Sequence, residues 1–255
     1  MKPSLAFAAM AAVCSLSGGA RASGVELTVV LAADVSRSVD DKEFELQRKG
    51  YAAALTDPRV QKAIRATKSK AIGVCFIEWS GEEDQQVVLP WTEIRDEEDG
   101  GGAAAVILKA PRSFTGRTSI SAVIDYAMKY FAQTKWPATR RVIDVSGDGT
   151  SNSGRPITEA RDQAIATGVT INGLAIINDQ PNLGYSSHTH PPGGLPNYYQ
   201  QNVVGGPNAF LVVVKDFNSF ADAMANKLAK EIDVAGGGHE QPTAGQGEQL
   251  SQLPH

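Results

Sequence analysis

The chain has 255 residues, of which 42% are hydrophobic and 20% are charged, and 24 Lys and Arg against 28 Asp and Glu give it a net charge of −4. This length suffices for one domain with a substantial core. The acidic balance argues against a nucleic-acid-binding protein, because the phosphate backbone requires a basic surface.

The N-terminus, residues 1–22, has the pattern of a secretory signal peptide. A positive start precedes a short apolar stretch at 5–16, and Ala20 and Ala22 stand where a signal peptidase requires small residues. The apolar stretch is shorter than the roughly 20 residues of a membrane span. A lipoprotein signal ending at Cys14 is the alternative, but the residues before it fit poorly. We predict cleavage after Ala22, export to the periplasm or the medium, and no integral membrane span.

The first predicted strand, at 25–33, is apolar and rich in β-branched residues, as in a strand buried on both faces of a parallel sheet. It ends abruptly in Asp34, followed by Ser36 and Ser38. In open α/β sheets, ligands bind outside the carboxyl ends of the strands. One carboxylate and two hydroxyls at alternate positions are oxygen donors that suit a hard divalent cation.

A helix is predicted at 41–56, where Asp40 and Glu43 form a capping box. Strands at 71–79 and 85–91 follow, joined by a short turn that favours an antiparallel hairpin. Cys75 lies in the first of these strands and is the only cysteine left after cleavage. It is interpreted as a packed hydrophobic residue without a disulfide.

The remaining elements alternate between helix and strand up to a closing amphipathic helix. Residues 95–101 are predicted as an acidic, Gly-rich surface loop, 178–208 as a long loop and 235–255 as a disordered tail. Helices are predicted at 102–110, 119–134, 156–167 and 217–234, and strands at 141–146, 169–177 and 209–214.

This alternation predicts one domain over 24–234 of the α/β class, a doubly wound, mostly parallel six-stranded sheet flanked by helices, with one antiparallel edge strand. The strands at 25–33, 71–79 and 141–146 should lie near the switch point, where a ligand would bind.

Two further segments place oxygen donors at the same edge of the sheet. Thr118 follows Gly116 by two residues and precedes a helix, and Asp148 lies between two glycines at the end of a strand. Taken singly, Asp34, Ser36 and Ser38 have an alternative interpretation as turn and cap residues. All three segments in order favour a metal site.

The order and spacing of these segments resemble a von Willebrand factor A (VWA) domain with its metal-ion-dependent adhesion site. The chain is similar to a group of secreted bacterial VWA-like proteins of unknown function. The resemblance covers about residues 24–234 and implies that the cation is bound by five residues: Asp34, Ser36, Ser38, Thr118 and Asp148. It implies a divalent cation, Mg²⁺ in the first place with Mn²⁺ or Ca²⁺ as alternatives. Thr115 is the alternative to Thr118. Where many such domains have Thr-Asp-Gly, this chain has Gly147-Asp148-Gly149 and lacks one hydroxyl.

Other polar residues have structural interpretations. Asp144 lies within a predicted buried strand and must be hydrogen-bonded or paired. His188 and His190 lack a nearby third ligand in the sequence and are interpreted as loop residues. Arg37, inside the first metal loop, should point outwards, either to attract an acidic partner or as a solvated side chain. The segment 181–208 should lie near the metal site and form part of the partner-binding surface.

The resemblance implies a binding module that recruits a protein ligand, whose Asp or Glu carboxylate completes the coordination of the cation. The chain contains no Gly-x-Ser-x-Gly, His-Glu-x-x-His or Gly-x-x-x-x-Gly-Lys motif, and we expect no catalytic residues. Two alternatives remain: a metal-dependent hydrolase on the same fold, and a subunit of an envelope assembly with a structural metal.

Overall fold

The computed structural model describes residues 24–177 and 186–236. The predicted signal peptide lies outside the described residues, and so does the predicted disordered tail from residue 237 onwards. Within the described parts of the chain, none of the helices combines the length and the apolar character that crossing a bilayer requires.

The sheet has six strands in the order β3-β2-β1-β4-β5-β6, and all neighbouring pairs are parallel except β2 with β3. The antiparallel strand lies at one edge, as predicted, and β1 lies between β2 and β4. The strands are β1 (Leu27–Asp34), β2 (Ile72–Trp79), β3 (Gln85–Ile94), β4 (Arg140–Gly147), β5 (Val169–Ile176) and β6 (Leu211–Val214).

Helices cover both faces of the sheet. They are α1 (Asp41–Thr56), α2 (Pro58–Ala66), α3 (Glu97–Lys109), α4 (Ile120–Phe131), α5 (Ile157–Ala166), α6 (Ser186–Thr189), α7 (Leu195–Asn202) and α8 (Phe220–Gly236), with a 3-10 turn at Phe217–Ser219. One apolar cluster joins α1, α2, α3 and α8 to the sheet, and a second joins α4, α5 and α7 to the opposite face. This confirms the predicted doubly wound α/β fold.

The central strands are apolar because both of their faces are covered. Every residue of β1, β2 and β5 is buried. Cys75 is among them, and burial raises the pKa of its thiol, which confirms the packed interpretation. The predicted capping box of α1 is also present, because Asp40 and Glu43 exchange hydrogen bonds of 2.8 Å with each other's backbone N–H groups.

The structure has one helix that the sequence did not predict, α2, and a second, α3, that begins earlier than predicted. Asp57-Pro58 ends α1, but it also starts α2, because the Asp57 side chain accepts from the Arg59 N–H and proline suits the first helical turn. The predicted loop at 95–101 is wrong, since α3 begins at Glu97. Asp96 caps α3, and the acidic residues of the first turn interact favourably with the helix dipole.

The predicted long loop at 178–208 is partly helical. The described part contains α6 and α7, and α7 buries Leu195 and Tyr199 against the sheet. The Pro, Gly and Asn content of this segment favours a loop, but these two apolar residues anchor the helix that forms. The closing helix α8 begins at Phe220, after the 3-10 turn, and continues to Gly236, two residues into the predicted tail.

Candidate metal centre

The five predicted metal-binding residues lie together at the carboxyl edge of the sheet. Asp34 is the last residue of β1, Asp148 follows β4, and Thr118 lies just before α4. Their side chains, with those of Ser36 and Ser38, are between 0 and 3% exposed. Burial of five polar side chains at one place requires compensating partners.

Hydrogen bonds connect the first and third loops directly. The Ser36 N–H donates to Asp34 Oδ1 at 2.7 Å, and Ser36 Oγ lies 3.2 Å from Ser38 Oγ. Ser38 Oγ in turn donates to Asp148 Oδ1 at 2.6 Å. Ser38 therefore joins the carboxylate of the third loop to the serine pair of the first.

The second loop is connected to the first through the backbone. The Arg37 N–H donates to the Gly116 carbonyl at 3.1 Å, which places Thr118 beside the first loop. Thr118 Oγ1 and Ser38 line the same cavity, whereas Thr115 is exposed. This position favours Thr118 over Thr115 as the donor of the second loop.

Arg112 fixes the backbone of the first loop. One of its guanidinium nitrogens, Nη2, donates to the carbonyls of Val35, Ser36 and Val39 at 2.9, 3.0 and 2.7 Å. This clamp holds the backbone of the loop in place. Arg112 was not identified from the sequence, because its contacts join segments far apart in the chain.

Three buried oxygens at this site have no hydrogen-bond partner among the described residues: Asp34 Oδ2, Asp148 Oδ2 and the Tyr199 hydroxyl. A buried oxygen without a protein partner is satisfied by a contact with water or with an ion. A cluster of two carboxylate oxygens and a phenol hydroxyl fits a hydrated divalent cation.

Burial destabilises the ionised forms of Asp34 and Asp148. Burial raises the pKa of Asp34 to about 6, although the hydrogen bond from Ser36 and the charge of Arg112 act in the opposite direction. Burial and the negative charge of Asp34 raise the pKa of Asp148 to about 7. A cation between them would offset both causes.

Tyr199 contributes a hydroxyl where the third loop lacks one. A Cβ atom at Gly147 would lie 2.6 Å from the Tyr199 hydroxyl and 2.8 Å from Asp34 Oδ2, so no side chain fits at that position. Burial, together with the charges of Asp34 and Asp148, raises the pKa of Tyr199 well above its usual value, which keeps the phenol protonated and able to donate.

We expect the Tyr199→Phe variant to bind a divalent cation about tenfold more weakly, because removal of an outer hydrogen-bond donor typically costs a metal site tenfold or more. The phenyl ring preserves the packing of α7, so the unfolding temperature in chelator should change little. Calorimetric titration with Mn²⁺ measures the affinity. The matched control is Tyr198→Phe, which removes a hydroxyl that, among the described residues, accepts from the Ser151 N–H and donates to no carboxylate of the site. Equal affinities in both variants would remove Tyr199 from the site.

His188, interpreted from the sequence as a loop residue and not as a metal ligand, lies at the rim of the candidate site. Its Nε2 is 3.1 Å from Thr118 Oγ1, and its Nδ1 is 3.0 Å from Thr150 Oγ1. The ring packs against Gly149 so closely that a side chain there would clash. No sequence signal identified this contact, since Thr118 and His188 are 70 residues apart. His190 is exposed and hydrogen-bonds to Thr189.

Asp144 does not belong to the metal site, as predicted. Its carboxylate lies 2.5 Å from the ammonium of Lys227 on α8, on the opposite face of the sheet. Within 24–177 and 186–236, no group of three or more His, Cys, Asp or Glu is arranged to hold a metal ion. The candidate donors are instead two carboxylates and three hydroxyls, an oxygen set typical of Mg²⁺ and related hard cations.

A protein-family model described as "Protein of unknown function (DUF1194)" matches residues 24–236. No curated protein matches the chain.

Proximal thread matrix protein 1 (PTMP1) from the mussel byssus is similar with a TM-score of 0.58 and 17% identity, over 83% of this chain and 48% of that chain. Another PTMP1 structure, with a TM-score of 0.56 and 12% identity over 82% of this chain and 46% of that chain, is described as having a zinc-occupied MIDAS motif. A von Willebrand factor type A protein from Catenulispora acidiphila has a TM-score of 0.57 and 15% identity, over 82% of this chain and 43% of that chain.

The vWF domain of the type V pili tip protein Mfa5 from Porphyromonas gingivalis has a TM-score of 0.54 and 10% identity, over 86% of this chain and 98% of that domain. The chain spans about half the length of PTMP1 and of the Catenulispora protein. At these identities the similarity shows the fold, which is that of a von Willebrand factor A domain.

Proposed function

We propose a metal-dependent binding function for this chain, which belongs to the family described as "Protein of unknown function (DUF1194)" and has the fold of a von Willebrand factor A domain. The observation that carries the proposal is the cluster of three buried, unpartnered oxygens, Asp34 Oδ2, Asp148 Oδ2 and the Tyr199 hydroxyl, among the residues described. Two of these oxygens belong to the predicted cation donors Asp34 and Asp148, which supports the proposal.

In this proposal Asp34, Ser36, Ser38, Thr118 and Asp148 hold a divalent cation, in the first place Mg²⁺. When bound, the cation provides a coordination position that a partner carboxylate can fill. Only two of the five donors are charged. If one of these carboxylates acts through a water molecule, the direct ligands leave part of the charge of the dication uncompensated, and the site attracts a further anionic oxygen. An Asp or Glu side chain of a protein ligand suits that position.

The place of action is proposed to be outside the cytoplasm, in the periplasm or beyond the cell. The signal-peptide pattern of residues 1–22 supports this. The neighbours include the pilus adhesin SpaC from Lactobacillus rhamnosus GG, with a TM-score of 0.57 and 13% identity over 82% of this chain and 30% of that chain.

The geometry favours binding over hydrolysis. His188 is the one imidazole that lines the cavity above the site, among the residues described, and both of its ring nitrogens are engaged by the hydroxyls of Thr118 and Thr150. A general base must lie within hydrogen-bond reach of the proton that it takes, and the ring nitrogens of His188 face threonine hydroxyls instead. A hydrolase would cleave a phosphoester or peptide substrate, and this cleavage would disappear in Asp148→Ala. An assay with such substrates therefore distinguishes hydrolysis from binding.

The test is calorimetric titration of the chain with Mn²⁺, in parallel with Thr118→Ala and Thr115→Ala. We expect binding in the wild type, a loss of at least about tenfold in Thr118→Ala, and no change in Thr115→Ala, because only Thr118 faces the site. Absence of binding in the wild type, or equal effects of the two variants, would contradict the proposed site.

A second measurement addresses the role of the metal in partner binding. Envelope proteins are captured on the immobilised chain in Mg²⁺ and then in chelator. Partners that leave in chelator, and that do not bind Thr118→Ala, support recruitment through the cation. Partners that remain in chelator support the alternative of an envelope subunit with a structural metal.

A further inference from the structure

The mouth of the proposed metal site is a cavity with a basic rim. Its volume is about 350 Å³. The hydroxyls of Ser38 and Thr118 lie in it, and the side chains of Arg37, Arg117, Asn152 and His188 border it. No Asp or Glu lines the cavity among the described residues, although acidic residues outnumber basic ones in the whole chain.

Arg37 and Arg117 are exposed and come from the first and second metal loops. The hydrogen bond from the Arg37 N–H to the Gly116 carbonyl holds these loops side by side. Neither guanidinium donates a hydrogen bond or forms an ion pair with any described residue. In the described chain, only Arg65 shares this property, and it lies on α2, away from the mouth. The other arginines all have partners: Arg48, Arg59, Arg95, Arg112, Arg140, Arg141, Arg155 and Arg161.

We propose that the partner is an acidic protein segment with at least two carboxylates, of which one completes the metal site and a second pairs with Arg37 and Arg117. This inference rests on the proposed metal-dependent function and specifies its partner. A guanidinium binds a carboxylate through two parallel hydrogen bonds, which gives the pair orientation as well as attraction. Two unpaired guanidinium groups on adjacent loops therefore select a second carboxylate next to the first.

The size and charge of the mouth agree with such a segment. A cavity of this volume is at the lower end of the range for small ligand pockets, so it admits acidic side chains and the backbone that carries them. A polyphosphate chain is a poorer partner, because binding it depends on an extended basic surface and the net charge of this chain is −4.

Synthetic peptides of eleven residues test the proposal. All have a Gly/Ser background with one central Asp. The diacidic peptide has Glu two residues after the Asp, and the monoacidic peptide has Gln at that position. Fluorescence anisotropy measures binding to the full chain in Mn²⁺. We expect the diacidic peptide to bind about fivefold to tenfold more tightly, the size expected of two solvent-accessible ion pairs, with a smaller preference at 1 M salt.

Variants of the two arginines separate recognition of the second carboxylate from binding of the metal. The double variant Arg37→Gln/Arg117→Gln should lose the preference for the diacidic peptide while its Mn²⁺ affinity, measured by calorimetry, stays within about twofold of the wild type. The matched control is Arg65→Gln, which removes an exposed, unpaired arginine elsewhere and should keep the preference.

Several results would overturn the inference. They are equal affinities for the two peptides, no binding of either, a preference that survives in the double variant, or stronger binding of polyphosphate than of the diacidic peptide. If the site binds Mn²⁺ and the peptides do not differ, the proposed function stands and only the acidic-partner inference fails. If the peptides bind as tightly in chelator as in Mn²⁺, the metal-dependent function itself fails.

Discussion

The Asp148→Asn variant is expected to lose divalent-cation binding and, in chelator, to be more stable than the wild type. Asn preserves the shape of the side chain, and its Oδ1 still accepts the hydrogen bond from Ser38. The substitution removes one of two buried negative charges, which reduces the affinity for a dication by at least about 100-fold, since even outer-shell changes cost 10- to 100-fold.

The gain in stability without metal has a separate cause. In the wild type at pH 8, Asp34 and Asp148 are both ionised, buried and close together, and this raises the pKa of Asp148 to about 7. Replacing a buried charge that lacks compensation with a neutral group should raise the free energy of unfolding by about 2 kcal/mol. Saturating Mg²⁺ should reverse the order, since a ligand at 100 times its dissociation constant stabilises the folded protein by about 2.7 kcal/mol.

Chemical denaturation at pH 8, in chelator and in Mg²⁺, measures both effects. The matched control is Asp162→Asn, which neutralises an exposed carboxylate paired with Arg161 and should leave the response to Mg²⁺ unchanged. If Mg²⁺ stabilises neither protein, or if Asp148→Asn is less stable than the wild type in chelator, the two carboxylates do not form a cation site.

The Lys227→Met variant is expected to lower the free energy of unfolding by about 3–5 kcal/mol, the cost of breaking a buried ion pair from one side. The Lys227 ammonium lies 2.5 Å from both Asp144 Oδ1 and Glu231 Oε1, and all three side chains are 0% exposed. Without the cation, two carboxylates remain buried together between β4 and α8. Urea denaturation measures the loss.

A triple variant identifies the cause of this loss. Lys227→Met combined with Asp144→Asn and Glu231→Gln removes all three charges and should recover at least half of the lost stability, because no uncompensated charge remains buried. The control Lys62→Met, on the exposed face of α2, should change stability by less than about 0.5 kcal/mol. If the triple variant is no more stable than Lys227→Met, the loss comes from packing and not from charge.

The elements of the fold could largely be predicted from the sequence, because local patterns specify them. The apolar run before Asp34 predicts a strand buried on both faces, and the Asp40–Glu43 capping box predicts the start of α1 at its observed position. The mispredictions occurred where two local signals compete. At 95–101, glycines favoured a loop, but the Asp96 cap and the acidic first turn favoured the helix that forms.

The candidate donors could also be named from the sequence, since each follows a strand or precedes a helix, and parallel strands bring their carboxyl ends to one edge. Their hydroxyl and carboxylate chemistry is a property of the residues themselves. The side chains that contact these donors from other parts of the chain could not be predicted from the sequence. Arg112 behind the first loop, Tyr199 beside Gly147 and His188 over Thr118 are brought there by chain segments with no motif of their own.

The buried ion pair of Asp144 shows the same difference between what local sequence determines and what tertiary packing decides. The sequence alone determined that Asp144, in a buried strand, requires a partner, because an unpaired carboxylate is unstable in an apolar core. Only the tertiary structure decided that the partner is Lys227, on a helix whose apolar residues alone were used to predict it. The physical reason is that burial and strand order depend on local hydrophobicity, whereas the choice of a partner depends on how distant segments pack against each other.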